Sequence, residues 1–347
     1  MARWSVALPI LAAAWLVPLG PLVAIVCAAT LVGAVIAGVH HAEVVAHRVG
    51  EPFGTLVLAV AITVIEVALI VSVMIGAGRG PSALPRDTVF SAIMIICNGV
   101  VGVCLLLGGI RHHEQSFRIE GANSGLAALA TLAALSLVLP AFTTSAPGPV
   151  YTRPQLAFAA FASLAVWAVF VFVQTVRHRE YFLPEEGADA HAATPTHTHA
   201  IASFVLMIVA LTAVVGLAKV LSPMVERIVA AAGAPPAIIG IVIAMLVLLP
   251  ETAAAARAAW ANRLQTSLNL AIGSALASIG LTIPAVALVS VWLGVPLILG
   301  LDGKDIVMLA LTFVVGSFTL VSGRTTVMQG AVHFVIFVAW IFLAFVP

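Results

Sequence analysis

Charged side chains are scarce in this sequence. Only 8% of the 347 residues are Asp, Glu, Lys or Arg, 62% are hydrophobic, and the mean hydropathy is +1.19. A soluble globular domain of this length carries far more charge. The net charge of +1 also provides no basic excess for binding nucleic acid. The composition therefore predicts an all-α polytopic membrane protein whose partner is membrane lipid and not nucleic acid.

Cysteines are few, and the common catalytic motifs are missing. Cys27, Cys97 and Cys104 lie in apolar runs without paired spacing, which excludes a disulfide framework. The sequence has no Walker loop, no Gly-x-Ser-x-Gly elbow and no His-Glu-x-x-His run. These absences give no support to ATP-driven transport or to hydrolysis by known motifs. No cofactor is predicted.

Apolar windows of about 20 residues predict about eleven transmembrane helices. We expect the first helix to be retained and not cleaved as a signal peptide, because no clear small-x-small site precedes the next apolar run. Pro and Gly mark most of the boundaries. The predicted helices are Val6–Val17, Pro21–Ala46, Pro52–Ile75, Thr88–Ile110, Ser124–Leu139, Pro154–Val176, Ile201–Leu221, Pro236–Ala259, Leu264–Leu297, Asp305–Val321 and Gln329–Phe345.

A polar segment, HREYFLPEEGADAHAATPTHTH at His178–His199, follows the first helix and five more, and five further helices follow it. Because five is odd, the two halves must cross the membrane in opposite senses, which is the pattern of an inverted repeat with a site near the midplane. We predict a first transmembrane helix at 1–18, a first repeat at 19–177, a polar linker at 178–200 and a second repeat at 201–347. With the amino terminus inside, most of the 15 Lys and Arg fall in inner loops, which favours a cytoplasmic amino terminus and linker.

Two predicted helices each hold a single acid deep in an apolar run. Glu66 lies near the middle of Pro52–Ile75, and Glu251 directly follows Pro250 in the second helix of the other half. A carboxylate at such a depth costs about 2 to 4 kcal/mol by insertion scales, so an intramembrane acid indicates a functional site. We expect the two acids to form one shared site. A structural ion pair of Glu251 with Arg257 stays open as an alternative.

Oxygen-bearing neighbours suit a hard divalent cation such as Ca²⁺, which binds about six to eight oxygen atoms. Thr63 lies three residues before Glu66 and so on the same helix face. Pro250 leaves the carbonyl of Leu246 without its helical donor. The third helix of each half adds further polar side chains, for which ligation and helix packing both stay open. The predicted cation ligands are Glu66, Glu251, Asn98, Ser274, Thr63 and Ser278.

Cation and proton would compete for such a site. Burial disfavours the charged form of a carboxylate, whereas a bound cation favours it. This competition, together with alternating access, is sufficient for proton-coupled antiport. Two protons exchanged for one divalent ion would be electroneutral. An intramembrane enzyme that uses the two glutamates as general acid and base is a remote alternative.

Histidines lie near the proposed inner side. His40, His41 and Glu43 are interpreted either as an entrance or pH-sensing cluster or as interfacial anchors. The linker histidines His191, His197 and His199 fit weak metal capture or a solvated tether.

Several long motifs resemble those of ChaA-type calcium/proton antiporters of the calcium/cation antiporter superfamily. The resemblance runs over nearly the whole chain from about His40. It implies a two-repeat, eleven-helix secondary transporter of the bacterial inner membrane, and no enzyme, that exports Ca²⁺ in exchange for H⁺. The motifs are HHAEVVAHRVGEPFGTLVLAVAITVIEVALIVSVM, GGIRHHEQSFRIEGAN, REYFLP, LPETAAAARAAWANRLQTSLNLAIGSALASIGLTIPAV and QGAVHFVIFVAWIFLAF.

The resemblance assigns the acids that are essential for cation and proton binding to Glu66 and Glu251. The Gly-Ser motif of the third helices is matched by Gly273 and Ser274 in the second repeat and is replaced by Asn98 and Gly99 in the first.

Two departures bear on which ion is exchanged. The Gly-Asn pair that precedes each acid in many calcium/proton exchangers is missing, and Thr252 stands where they often have His. Members similar to ChaA are also linked to sodium and potassium exchange, so Na⁺/H⁺ or K⁺/H⁺ antiport is the alternative function. Cations and protons are the expected partners, and a homo-oligomer is compatible with the sequence.

Overall fold

Helices make up almost all of the computed structural model, which describes residues 21–50, 53–76, 80–182 and 195–346. Within these ranges, ten helices are long and apolar enough to cross a membrane. The predicted all-α polytopic fold is therefore confirmed, while the first predicted helix, Val6–Val17, lies outside the described residues. In chain order the elements are α1 (Pro21–Val49), α2 (Phe53–Gly76), α3 (Leu84–Met94), α4 (Val101–His112), β1 (Gln115–Ser116), α5 (Ile119–Ala133), α6 (Arg153–Phe172), α7 (His197–Ala231), α8 (Ala237–Trp260), α9 (Leu264–Leu293), α10 (Gly303–Val321), β2 (Arg324–Thr325) and α11 (Val327–Phe345).

Helix bounds depart most from the prediction at α7, and smaller differences occur at α5, which begins at Ile119 and not at Ser124, and at α9. Helix α7 has 35 residues, whereas only Ile201–Leu221 was predicted. Its length is about 52 Å, so it extends well beyond a hydrocarbon core of about 30 Å, and hydropathy does not detect the polar continuation. Helix α9 ends at Leu293 and not at Leu297, because Gly294 adopts a left-handed conformation with φ of 67° that ends the helix.

One compact unit combines Met1–Gly80 with His191–Val247. It contains α1, α2, α7 and the first part of α8. Helices α1 and α7 pack through small residues, with Ala24 and Cys27 of α1 in one buried cluster with Leu217 of α7. At Gly38 of α1, a Cβ atom would lie 3.5 Å from the side chain of Ile65, which shows how closely α2 approaches α1 beside Glu66.

The other compact unit combines Pro81–Ala190 with Leu248–Pro347. Helix α9 is its central element, because it contacts α3, α4, α5 and α6. Helix α11 packs along α4, and α10 packs against α5. Strands β1 and β2 pair antiparallel, with Gln115 opposite Thr325. Each unit thus takes helices from both halves of the sequence, and the division into repeats at 19–177 and 201–347 stays a prediction.

Three stretches of π-helix interrupt the spans of the second unit: Ile95–Val100, Ala134–Val138 and Val173–Arg177. The first of them joins α3 and α4 into one span, Leu84–His112. A π-helical turn is rare, and it is frequently found at functional sites. The Ile95–Val100 stretch contains Asn98, one of the predicted ligands.

Two glycines of α9 differ sharply in the room around them. A Cβ atom at Gly280 would lie 2.6 Å from the Cβ atom of Trp167, whereas at Gly273 it would meet nothing within 4 Å. We expect Gly280→Ala to destabilise the protein by about 1 to 3 kcal/mol through overpacking and to lower its thermal midpoint in detergent. Gly273→Ala is the matched control, since both changes give the same gain in helix propensity. Equal midpoints for the two variants would contradict the close α6–α9 contact.

Candidate functional site

Glu66 lies on a buried face of α2. Its exposed fraction is 3%, and Thr63 and Ile70, which lie three residues before it and four after it, are 7% and 0% exposed. Val64 on another face is 45% exposed. The predicted common face of Thr63 and Glu66 therefore points into the protein.

The Thr63 hydroxyl is already oriented by its own helix. Its Oγ1 atom donates a hydrogen bond of 2.9 Å to the carbonyl oxygen of Ala59. Because a hydroxyl has one donor and two lone pairs, this bond uses the proton and leaves oxygen lone pairs available. The arrangement is compatible with cation ligation by Thr63.

Glu251 lies in the part of α8 that belongs to the second compact unit. The residue is half-buried, and both carboxylate oxygens are shielded from solvent. The preceding Pro250 cannot donate to Leu246, so the helix lacks one hydrogen bond beside the acid. The neighbouring Thr252 donates its hydroxyl proton to the Leu248 carbonyl over 2.7 Å.

Glu66 and Glu251 belong to different compact units. Glu66 belongs to the unit with Met1–Gly80, and Glu251 to the unit with Leu248–Pro347. That the two acids form one shared site stays a prediction.

Ser274, Ser278 and Thr282 form a polar stripe on α9, and their hydroxyls are buried or half-buried. Ser278 is 6% exposed and Thr282 is fully buried, while Ser274 is half-buried beside the open space at Gly273. The Thr282 hydroxyl makes no hydrogen bond with any residue that the structure describes. A buried hydroxyl normally has a partner, so the stripe has capacity to bind water or an ion.

Asn98 is fully buried and lies in a chain of hydrogen bonds within the second unit. Its Nδ2 atom donates to Thr312 Oγ1 over 2.9 Å, and its Oδ1 atom lies 3.3 Å from His333 Nδ1. The Nε2 atom of His333 lies 3.0 Å from Thr319 Oγ1. Because an amide oxygen only accepts, Nδ1 carries an imidazole proton and donates it to Asn98. This chain of hydrogen bonds joins the Ile95–Val100 stretch to α10 and α11.

His333 was not among the predicted site residues. The sequence places it in the motif QGAVHFVIFVAWIFLAF, but nothing in the spacing connects it with Asn98, which lies 235 residues away. Thr312 and Thr319 carry a weak signal, since their separation of seven residues places them on one face of α10.

The histidine clusters do not assemble a metal centre in the described part of the chain, where no group of three His, Cys, Asp or Glu side chains could hold a metal ion. The rings of His40 and His41 lie 5.5 Å apart, centre to centre, near the end of α1. His191 lies outside the described residues.

Comparison with known proteins decides the family. Residues 19–176 and 202–346 match the family model described as sodium/calcium exchanger protein. The chain belongs to this exchanger family. The exchanger is 50% identical to y4hA of Sinorhizobium fredii over 92% of its own length and 88% of that protein. It is 34% identical to the sodium-potassium/proton antiporter ChaA of Escherichia coli, over 88% and 84% of the two chains.

Solved structures support the fold of the exchanger. Native YfkE superposes with a TM-score of 0.76 at 16% identity, over 99% of this chain and 98% of YfkE. The H⁺/Ca²⁺ exchanger CAX superposes with a TM-score of 0.72 at 14% identity, over 97% and 86% of the two chains. The exchanger is therefore a multi-pass cation antiporter of the calcium/cation antiporter superfamily, which is a group of secondary transporters.

Proposed function

We propose that this exchanger exports Ca²⁺ in exchange for H⁺ by alternating access. Glu66 and Glu251 are the groups for which the cation and the protons compete. The observation that carries the proposal is the burial of Glu66, which is 3% exposed on a membrane-spanning helix whose mean hydropathy is 2.7. A carboxylate in that environment requires either a proton or a cation.

The charge of the two acids favours a divalent ion. Two deprotonated glutamates carry the charge that one Ca²⁺ neutralises, and two protons restore neutrality when the ion leaves. In support, YfkE is described as a Ca²⁺/H⁺ antiporter and CAX as an H⁺/Ca²⁺ exchanger, and both share the fold.

Neutral oxygen ligands complete the proposed cation site. We assign this role to Thr63, Ser274 and Ser278, whose hydroxyls lie on buried or half-buried faces. Asn98 stays in the proposed set, because its amide oxygen accepts one hydrogen bond from His333 and keeps a second lone pair. Each of these is the hard oxygen donor that Ca²⁺ prefers.

Exchange of Na⁺ or K⁺ for H⁺ is the second candidate. The observation in its favour is the 34% identity to the sodium-potassium/proton antiporter ChaA, which is well above the identity to either calcium exchanger. The chain also lacks the Gly-Asn pair before each acid.

We place the exchanger in the bacterial inner membrane, with its amino terminus and central linker in the cytoplasm. The bias of Lys and Arg toward the proposed inner loops supports this orientation. Both of the relatives named above are bacterial proteins.

Ion exchange in proteoliposomes tests the function. The purified protein is reconstituted with an acid interior and an internal pH dye, and Ca²⁺, Na⁺, K⁺ or Mg²⁺ is added outside separately. We expect micromolar Ca²⁺ to release protons from the vesicles, and protein-free vesicles to show no response.

Each outcome decides between the candidates. Release by Na⁺ or K⁺ and not by Ca²⁺ would overturn the calcium assignment and favour monovalent exchange. No release with any of the four cations would overturn the proposed function.

A further inference from the structure

The carboxyl end of α8 is capped by one side chain from the end of α4, His112, and one from β1, Gln115. Gln115 is 3% exposed, and its Nε2 atom donates to the Ala259 carbonyl over 3.0 Å and to Asn262 Oδ1 over 2.9 Å. His112 Nε2 lies 3.0 Å from the carbonyl oxygen of Trp260 and donates to it. The last carbonyls of a helix have no partner within the helix, so these donors satisfy groups that would otherwise need water.

The surrounding backbone is built to hold this cap. A Cβ atom at Gly108 would lie 1.6 Å from Gln115 Oε1, so only glycine leaves room for the glutamine. His113 and Asn262 adopt left-handed backbone conformations, with φ of 67° and 59°. Such conformations are uncommon for residues other than glycine, and Asn and His adopt them more readily than most. The guanidinium of Arg111 also lies 4.6 Å from the centre of the Trp260 ring.

Gln115 itself sits on a fixed element. It is the first residue of β1 and pairs with Thr325 of β2. The next backbone segment is also held, because Arg118 N donates to Gln265 Oε1 at the start of α9 over 2.7 Å. The cap therefore ties the end of α8 to three other elements of the same compact unit.

The capped end of α8 is connected to Glu251 by a continuous helix. Glu251 and Ala259 are eight residues apart in α8, or about 12 Å along the axis. Pro250 removes a backbone hydrogen bond on the amino-terminal side of Glu251. The part of α8 on the carboxyl-terminal side of Glu251 therefore holds the position of the acid more firmly. Side-chain tips lie about 5 to 6 Å from a helix axis. A rotation of α8 by about 20° about its own axis would therefore displace the Glu251 carboxylate by about 2 Å.

We propose that Gln115 is a positioning residue for ion exchange, which fixes the end of α8 and thereby orients the Glu251 carboxylate. The proposal rests on the cation-binding role of Glu251 stated above. It also gives a function to two motifs, GGIRHHEQSF and ETAAAARAAWANR. The first contributes the donors of the cap, and the second contributes its acceptors.

Gln115→Glu tests the proposal with little change in shape. The substitution replaces the donor by an acceptor that faces the Ala259 carbonyl and Asn262 Oδ1. We expect the half-saturating cation concentration in proteoliposomes to rise about five- to tenfold, which corresponds to the loss of one such hydrogen bond. The maximal rate per folded protein should stay close to that of the wild type. Because proton binding needs less exact geometry than cation binding, the midpoint of the pH profile should move to higher pH.

Glu114→Gln is the matched control. Glu114 is the preceding residue, its side chain is 51% exposed, and it pairs with Arg324 over 3.1 Å at the surface. We expect this variant to keep the wild-type half-saturating concentration, since exposed ion pairs contribute little.

Asn262→Gly provides an independent variant that also suits the fold. Glycine adopts a φ of 59° without strain, yet the change removes one acceptor of Gln115. We expect an increase of about threefold in the half-saturating concentration. Unchanged half-saturation in both variants, or a lower maximal rate alone, would overturn the positioning role. If the wild type exchanges no cation, the proposed function fails, and this inference fails with it.

Discussion

We expect Glu66→Gln to abolish cation-driven proton release from proteoliposomes, with a loss of more than about 100-fold in rate, or about 2.7 kcal/mol or more. Glutamine has nearly the same shape as glutamate, so the packing of α2 is preserved. An amide, however, neither takes up and releases a proton nor supplies negative charge to a cation. The rate is measured with the pH dye for each cation. The amount of folded protein is measured by size-exclusion chromatography in detergent.

Glu120→Gln is the control for this experiment. It removes a carboxylate of the same kind from an exposed position in the first turn of α5, and exchange should continue at the wild-type rate. A folded Glu66→Gln protein that still transports at full rate would remove Glu66 from the mechanism.

We expect Glu251→Gln to produce a loss of the same size for the same reason. Glu251→Asp gives a second measurement, because it keeps the charge and shortens the side chain by one methylene group. We expect the aspartate variant to retain exchange at a half-saturating cation concentration raised about tenfold, through poorer ligand geometry. Full activity of the glutamine variant would contradict a direct role for the Glu251 carboxylate.

Infrared difference spectra of these variants decide whether the two acids share one site. Addition of cation to the wild type should reduce the signal of protonated carboxyl groups, because the ion displaces their protons. If the acids share a site, the remaining acid in Glu66→Gln should no longer respond to the cation. A response of unchanged amplitude per carboxyl would show that Glu251 binds cation separately.

The helices of this protein are predictable because a lipid environment leaves the backbone few alternatives. Every polar backbone group must be paired within the bilayer, so apolar runs of membrane length form helices. The described helices α1 to α11 follow these runs closely. The departures lie at helix ends: α5 begins at Ile119 and not at Ser124, α7 continues to Ala231 in a more polar stretch, and α9 stops at a left-handed glycine.

The two acids could also be predicted from the sequence. A carboxylate inside an apolar run is costly, which makes Glu66 and Glu251 conspicuous, and helical spacing alone placed Thr63 on the face of Glu66. The hydrogen-bond partners of Asn98 could not be predicted from the sequence. Thr312 and His333 lie 214 and 235 residues from it, and only the packing of α10 and α11 against the Ile95–Val100 stretch brings them together.

The sequence by itself determined the membrane class, the helices and the buried acids, because each depends on local hydropathy, helical periodicity and the energy of a charge in lipid. The tertiary structure alone decided which helices form each compact unit, the hydrogen-bond chain through His333 and the cap that Gln115 places on α8. These features depend on contacts between distant segments, such as Gln115 with Ala259 over 144 residues. No local pattern specifies such a contact, since it forms only when the two halves of the chain pack into common units.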